Sequence, residues 1–268
     1  MTPMSTLTEF ANAYAAHRAS EGRGRSTDEL LLLPYVDTGP FADQWRVRAR
    51  TYDAFVRRIL RPLVSSLGRA PRLLDVGAGC GWLARRAALA GCESIALDIR
   101  ADTVDGLGAA RAYADDHAAP FGRVIATFDA LPMKSATADV VVFNASLHYS
   151  TDLARTLGEA RRVLQAGGRI ALLDSPFYRT TVAGEAMASE KRRTAAERFG
   201  PLAEALMRLS CIEYLTSERL TSASAALGLE WRRHRVRYPL SYELRPIAAR
   251  LRGRRIPSRF DLWEGIAA

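Results

Sequence analysis

From Arg72 onward, short apolar runs alternate with stretches of helical spacing. Arg72–Val76, Ser94–Asp98, Arg123–Phe128, Ala138–Asn144 and Arg169–Asp174 read as strands. Helix-like stretches at 81–90, 101–117 and 151–165 lie between them, and Gly167-Gly168 is expected to close the last as a helix-ending turn. Such alternation predicts a parallel sheet with helices on both faces. Upstream, residues 7–20 have helical character and run into a flexible Glu21-Gly22-Arg23-Gly24 stretch. From Asp43 to Leu63, the positions Trp45, Val47, Tyr52, Phe55, Val56, Ile59 and Leu60 recur at helical spacing. Arg46, Arg50, Arg57 and Arg61 supply the opposite face, so this segment predicts an amphipathic helix. Downstream, Ser217–Leu227 reads as a helix with Thr216 or Ser217 as N-cap and Gly228 as its stop. Strand-like segments follow at 229–238 and 260–267. The expected organisation is an α/β domain over 69–268 beneath a helical N-terminal cap, 1–68. Its core would be 72–175, followed by a lid insert at 176–219 and basic C-terminal strands and a helix over 229–268.

Composition narrows the class. Apolar residues make up 48% of the 268, too many for a disordered chain, and Pro34 stops the Leu30–Leu33 run long before membrane-spanning length. The N-terminus lacks a basic start and long apolar core, so a cytoplasmic protein is expected. Three cysteines without a Cys-x-x-Cys pair argue against a disulfide scaffold or a cysteine zinc site, and the histidines His17, His117 and His234 have no metal-cluster spacing. The net charge of +9 is confined to one segment: between Trp231 and Arg259 lie ten arginines and a single acid, Glu243. That run would suit a phosphate, an acidic substrate, nucleic acid or an anionic membrane surface, or simply a solvated face.

The most informative stretch is Leu73-Leu74-Asp75-Val76-Gly77-Ala78-Gly79-Cys80-Gly81-Trp82, an apolar strand running through alternating glycines into a helix. Without Cβ atoms such a turn approaches a ligand closely, while the helix amides point at it. Trp82 stands where a dinucleotide fingerprint wants its third glycine, which weighs against a nicotinamide cofactor. Asp98 ends the next strand, 21 residues beyond Gly77, where a carboxylate can accept both hydroxyls of a ribose. Asp129 follows another strand in Phe128-Asp129-Ala130-Leu131-Pro132, and could accept from an exocyclic amine. Asn144 ends Asp139–Asn144. All four signals fall at the carboxyl ends of expected parallel strands, where open α/β sheets bind ligands.

At these residues the chain resembles the class I S-adenosylmethionine-dependent methyltransferases, in particular the small-molecule branch called methyltransferase type 11. The resemblance covers roughly 72–175. It implies a Rossmann-like α/β fold with a seven-stranded, mostly parallel sheet whose last strand is antiparallel. It further implies S-adenosylmethionine as cofactor, with Gly77-Ala78-Gly79 beside the methionine part and Asp98, followed by Ile99, at the ribose. Asp129 and Ala130 would address the adenine, and Asn144 would line the site near the transferred methyl. Leu164–Arg169 resembles the family's Pro-Gly-Gly turn, with Ala166 in place of the proline. Tyr52 resembles a tyrosine that many relatives place over the methionine end, whereas Trp45 on the same helix face reads as packing. Asp75 would either contact the cofactor amine or brace the loop.

His148, just past the fourth strand, is placed where a general base would stand; the alternative is a histidine satisfied at a loop corner. Cys80 reads as packing and Asp174 is left undecided. The expected partner is a small or lipid-like acceptor, anionic or partly apolar, methylated at O, N or C, since the insert mixes Phe177, Tyr178, Met187 and Phe199 with Arg179 and Lys191. Two other classes stay open: a nucleic-acid methyltransferase using the C-terminal arginines, demoted by the absence of an Asn-Pro-Pro-Tyr motif, and a non-catalytic binder of the cofactor. Nothing in the sequence reads on oligomeric state.

Overall fold

The computed structural model describes residues 3–114 and 119–267. His117 and the end of the helix expected at 101–117 lie outside the described residues. Seven strands form one sheet: β1 (Arg72–Val76), β2 (Glu93–Asp98), β3 (Gly122–Ile125), β4 (Ala138–Asn144), β5 (Leu164–Leu173), β6 (Leu229–His234) and β7 (Leu262–Ala267). Their order is β3-β2-β1-β4-β5-β7-β6, and β7 runs antiparallel to both neighbours. The sheet expected from the family resemblance is therefore present, and all five core strands fall where the apolar runs placed them. From β1 the chain winds outward through β2 and β3, then returns to place β4 on the other side of β1. Their carboxyl ends thus diverge at a switch point, where such sheets open a crevice.

Strand periodicity divides the core in two. Leu73, Val140, Val142, Ala171 and Leu173 face Phe55, Ile59, Leu60 and Leu83. Leu74, Val141, Phe143, Ile170 and Leu172 face Leu153, Leu157, Val163 and Leu220. The first set of partners belongs to the helix beginning at Ala42 and to the helix Trp82–Leu89; the second belongs to the helices Leu153–Val163 and Ser217–Ala223. The amphipathic helix expected at 43–63 runs from Ala42 to Ser66, with a π-helical stretch at Val56–Leu60. Pro62 accounts for the widening, because it has no N–H to give and its ring crowds the carbonyl four residues back.

Three expectations shift. The helix before β5 stops at Val163, and Gly167-Gly168 lies within the irregular start of β5, where the register with β4 slips. The helix after Thr216 ends at Ala223, four residues early, although the Thr216 hydroxyl caps it as anticipated by accepting from Arg219 N–H. The segment 101–117 yields only a 3-10 helix, Leu107–Tyr113, among its described residues.

The segment 176–219 carries the helices Thr181–Arg193, Ala195–Phe199 and Ala203–Arg208. Leu206 and Leu209 pack on Phe10 and Ala13 of the N-terminal helix Met4–Ser20, beside Ile99 and Tyr149. This contact roofs the carboxyl ends of the strands.

Candidate functional site

The glycine turn is held by its backbone. Gly77 and Ala78 N–H donate to the Leu97 carbonyl at 2.7 and 3.0 Å, which ties the turn to β2. Gly77 has φ +74, and a Cβ there would stand 2.3 Å from the Ser146 Cβ. Gly79 has φ +54 and would meet the Asp105 carbonyl at 3.0 Å. Neither position can take a side chain without moving backbone or neighbour. Asp98 closes the turn from the next strand: its Oδ2 accepts from Gly79 N–H at 2.8 Å and its Oδ1 from Arg100 N–H at 2.9 Å. Burial raises its pKa, and the two amides and the Arg100 charge oppose that rise.

Above the turn lies a cleft enclosing about 870 Å³ of atom-free space, open mouth included. Gly77, Ala78, Gly79, Asp98, Ile99 and Asn144 all line it. The structure thus brings together six of the residues singled out from the sequence. The Asn144 Oδ1 is buried with no hydrogen-bond partner in the protein.

The other candidates stand elsewhere. Tyr52 does not line the cleft; it is 5% exposed and packs edge-on against Trp82 at 5.4 Å, within the core beneath the helix. Trp45, one helical stretch earlier, occupies the cleft instead, with the guanidinium of Arg25 at 4.9 Å and that of Arg48 at 5.0 Å from its ring. Both rings are buried, Trp45 6% and Tyr52 5% exposed, but only Trp45 reaches the wall of the cleft. Tyr52→Phe is accordingly expected to leave cofactor affinity within about twofold, whereas Trp45→Ala weakens it about tenfold or more by removing ring contacts worth roughly 1–2 kcal/mol. Calorimetric titration of both variants checks the contrast.

Asp75 also lies outside the cleft. It is 1% exposed, its Oδ2 accepts from Ala84 N–H at 3.2 Å, and its Oδ1 has no partner. It therefore braces the first turn of the helix Trp82–Leu89 from below. Asp129 borders a smaller cavity that shares Phe10, Ile99, Phe128 and Tyr149 with the cleft, and its carboxylate lies 3.4 Å from Arg155 Nε. Ala130 is exposed and bridges to Thr127, lining none of these spaces.

His148 faces a second cavity, whose walls include Lys191, Met187, Tyr178 and Glu213. Phe10, Tyr14 and Tyr149 separate it from the cleft, with ring centres 5.4–6.2 Å apart and the two tyrosine hydroxyls 2.9 Å apart. Burial, then the charges of Lys191 and Arg48, push the His148 imidazole down to about 3. It is neutral at pH 7 and a weak base, so the general-base role read from its position loses its chemical footing. Phe10, Tyr14 and Arg18 of the cleft escaped the sequence reading. The i, i+3, i+7 spacing of Leu7, Phe10 and Tyr14 was the available signal, but it sat in a segment with no motif.

Among the described residues no cluster of His, Cys, Asp and Glu could hold a metal ion. Five of the ten C-terminal arginines are held in ion pairs among the described residues. Arg233 and Arg259 pair with Asp261, Arg232 with Glu230, Arg235 with Glu243 and Arg255 with Glu190.

Residues 74–172 match the family described as Methyltransferase domain. The chain is 34% identical over 174 residues to a malonyl-[acyl-carrier protein] O-methyltransferase of Methylococcus capsulatus, covering 58% of this chain and 61% of that protein. It is 29% identical over 184 residues to a ubiquinone/menaquinone biosynthesis C-methyltransferase of Acidiphilium cryptum, covering 60% and 73%. A magnesium protoporphyrin IX methyltransferase from Synechocystis, solved with S-adenosylhomocysteine, superposes with TM-score 0.57 at 15% identity over 95% of this chain and 98% of that one. Residues 74–172 thus carry a methyltransferase domain, set in the Rossmann-like fold that the solved methyltransferase shares. The chain spans about half to three-fifths of the length of the malonyl-[acyl-carrier protein] relatives first matched.

Proposed function

We propose that the chain binds S-adenosylmethionine in the cleft and methylates O, N or C of a small or lipid-like acceptor held in the second cavity. One observation carries this reading: a side-chain-free turn, a ribose-competent carboxylate and an unpartnered amide oxygen converge on one cleft at the switch point of the sheet. The donor set fits the cofactor. Each Asp98 oxygen spends one lone pair on a backbone amide and keeps another for a ribose hydroxyl. Asn144 Oδ1 needs a hydrogen-bond donor from a ligand. Arg25 and Arg48 have no carboxylate within ion-pair distance among the described residues, which leaves them for a ligand carboxylate such as that of the cofactor's methionine part. Asp129 lines the adjoining cavity and Ala130 lines neither space, so Ile99 and Phe128 are the better-placed residues to cover an adenine.

When bound, the cofactor supplies an activated methyl group. What the protein adds is alignment and exclusion of water. The Phe10, Tyr14 and Tyr149 rings lie between the two cavities and would shield the junction from solvent. Arg18, Arg23 and Lys191 on the wall of the second cavity are paired with Asp105, Glu21 and Glu213, while Arg198 has no ion-pair partner among the described residues and suits an acceptor with an anionic group. An acceptor that arrives already ionised has no proton to lose, in keeping with the neutral His148. The relatives named for malonyl-[acyl-carrier protein] O-methylation and for C-methylation in quinone biosynthesis support an acceptor methylated at O or C.

The test is calorimetric titration of S-adenosylmethionine into the protein, with NAD as control. Saturable binding of S-adenosylmethionine and none of NAD is the expected result. Binding of NAD alone would overturn the cofactor, and with it the reaction.

A further inference from the structure

Four arginines of the C-terminal run, Arg237, Arg250, Arg252 and Arg254, have neither an ion-pair nor a side-chain hydrogen-bond partner among the described residues and are exposed, whereas Arg245 donates to the Tyr242 and Ser258 carbonyls. The four surround a helical surface element made of the turn Leu240–Glu243 and the helix Arg245–Leu251, joined at Leu244. Along it Leu240, Leu244, Ile247 and Leu251 recur at spacings of four, three and four, which is one helix face. That face is turned to solvent: Leu240 is 77%, Leu244 52%, Ile247 55% and Leu251 84% exposed, and Ile256 beyond the helix is also exposed. The opposite face does the packing. Tyr242 is buried, Arg245 lies 3.5 Å over its ring, and Phe260 N–H donates to its hydroxyl.

A contiguous aliphatic stripe costs solubility unless something covers it. We infer that this element docks on an anionic lipid surface, its aliphatic stripe entering the headgroup boundary while the flanking arginines meet lipid phosphates. Charge complementarity selects that occupant, since the four free guanidinium groups face outward and Glu243, the single acid of the segment, is consumed by Arg259 at 2.8 Å. The side-chain types point the same way. Leucine and isoleucine ringed by arginine are what an in-plane amphipathic helix presents to a bilayer, whereas protein-binding patches concentrate aromatic anchors. No helix of the described chain is long and apolar enough to cross a membrane, so attachment would be peripheral.

Docking there has a consequence for the acceptor cavity. Four residues past the arginine-flanked helix, Arg255 donates from Nη1 to the Tyr178 hydroxyl at 2.9 Å and pairs with Glu190 at 3.1 Å. Tyr178 is a wall of the second cavity, and Glu190 belongs to the helix that carries Lys191 and Met187, two further wall residues. The lipid-facing element and the cavity wall are thus tied by one side chain, which would bring that wall near the headgroup layer.

The experiment is co-sedimentation of the full chain with large unilamellar vesicles, either pure phosphatidylcholine or phosphatidylcholine containing phosphatidylglycerol. Binding to the anionic vesicles alone is expected, weakened about tenfold or more as salt rises from 50 to 500 mM. Ile247→Glu with Leu251→Glu, and separately Arg250→Ser with Arg252→Ser and Arg254→Ser, should each reduce it by a similar factor. All five positions are exposed, and an unchanged circular dichroism spectrum shows that the fold survives. Failure of the wild type to sediment overturns the inference. If sedimentation velocity then shows a dimer that Ile247→Glu abolishes, the face belongs to a second copy. Vesicle binding that withstands the Ile247 and Leu251 changes also overturns it, reducing the element to a charged patch of the kind an acidic protein would fit.

Discussion

Asp98→Ala is expected to weaken S-adenosylmethionine binding by about 100-fold or more and to lower stability by about 1–3 kcal/mol. The affinity loss follows from two hydrogen bonds between a carboxylate and ribose hydroxyls, each contributing roughly 1.5–3 kcal/mol. The stability loss has a different origin. Gly79 and Arg100 donate their N–H groups to this carboxylate at 2.8 and 2.9 Å, and the substitution leaves both without an acceptor in a buried turn. Relief of the buried charge, whose pKa is raised by burial, offsets part of that cost. Calorimetry gives the affinity and denaturant unfolding without ligand gives the stability, so the two effects are read separately. Unchanged affinity in a folded variant would remove Asp98 from the cofactor site and leave it a brace of the turn.

The contrast between Asp98 and its neighbours shows what the sequence could carry. A glycine turn and a strand-ending carboxylate act through backbone geometry, which the strand–turn–helix pattern dictates locally. Gly77, Gly79, Asp98 and Asn144 were therefore legible, as was the parallel core, whose apolar runs are buried on both faces. Tyr52 and Trp45 were not, because a seven-residue step along a helix keeps direction but shifts along the axis. Trp82 packs against both rings, at 5.8 and 5.4 Å, and both are buried, so only the position of the cleft tells them apart. The surroundings of His148 were not legible, since its burial, and after that the Lys191 and Arg48 charges, come from distant segments. The arginine run read as a single charged block, yet half of it is folded onto Asp261, Glu243, Glu230 and Glu190. Only pairing in three dimensions separates the structural arginines from the free ones.

Asp75→Asn is expected to stabilise the protein at pH 8 by about 2–4 kcal/mol, with the gain vanishing towards pH 4. Burial, and to a lesser degree the nearby Asp98 charge, push this carboxyl up to about 7 from its ordinary 3.8. Between those values the unfolded chain has lost the proton while the folded protein keeps it. Stability therefore falls as pH rises through this window, and the full cost is present above pH 7, where a shift of this size corresponds to about 4 kcal/mol. Asparagine keeps a carbonyl to accept from Ala84 N–H at the start of the helix and carries no charge to bury. Asp174, pushed up to about 6 by burial, contributes a fall of the same sign that persists in the variant. His148 acts oppositely, its contribution being lost as pH drops from about 6.5 towards 3. Both cancel in the difference between wild type and variant, measured as denaturant midpoints at pH 5, 6, 7 and 8. A variant less stable than wild type by the same amount at every pH would mean that Asp75 is not held as a costly buried charge. The same protein also separates the two roles the sequence left even. A brace beneath the helix predicts S-adenosylmethionine affinity within about threefold of wild type, because less than a single weak hydrogen bond is at stake. A tenfold loss would instead put the carboxylate in contact with the cofactor amine.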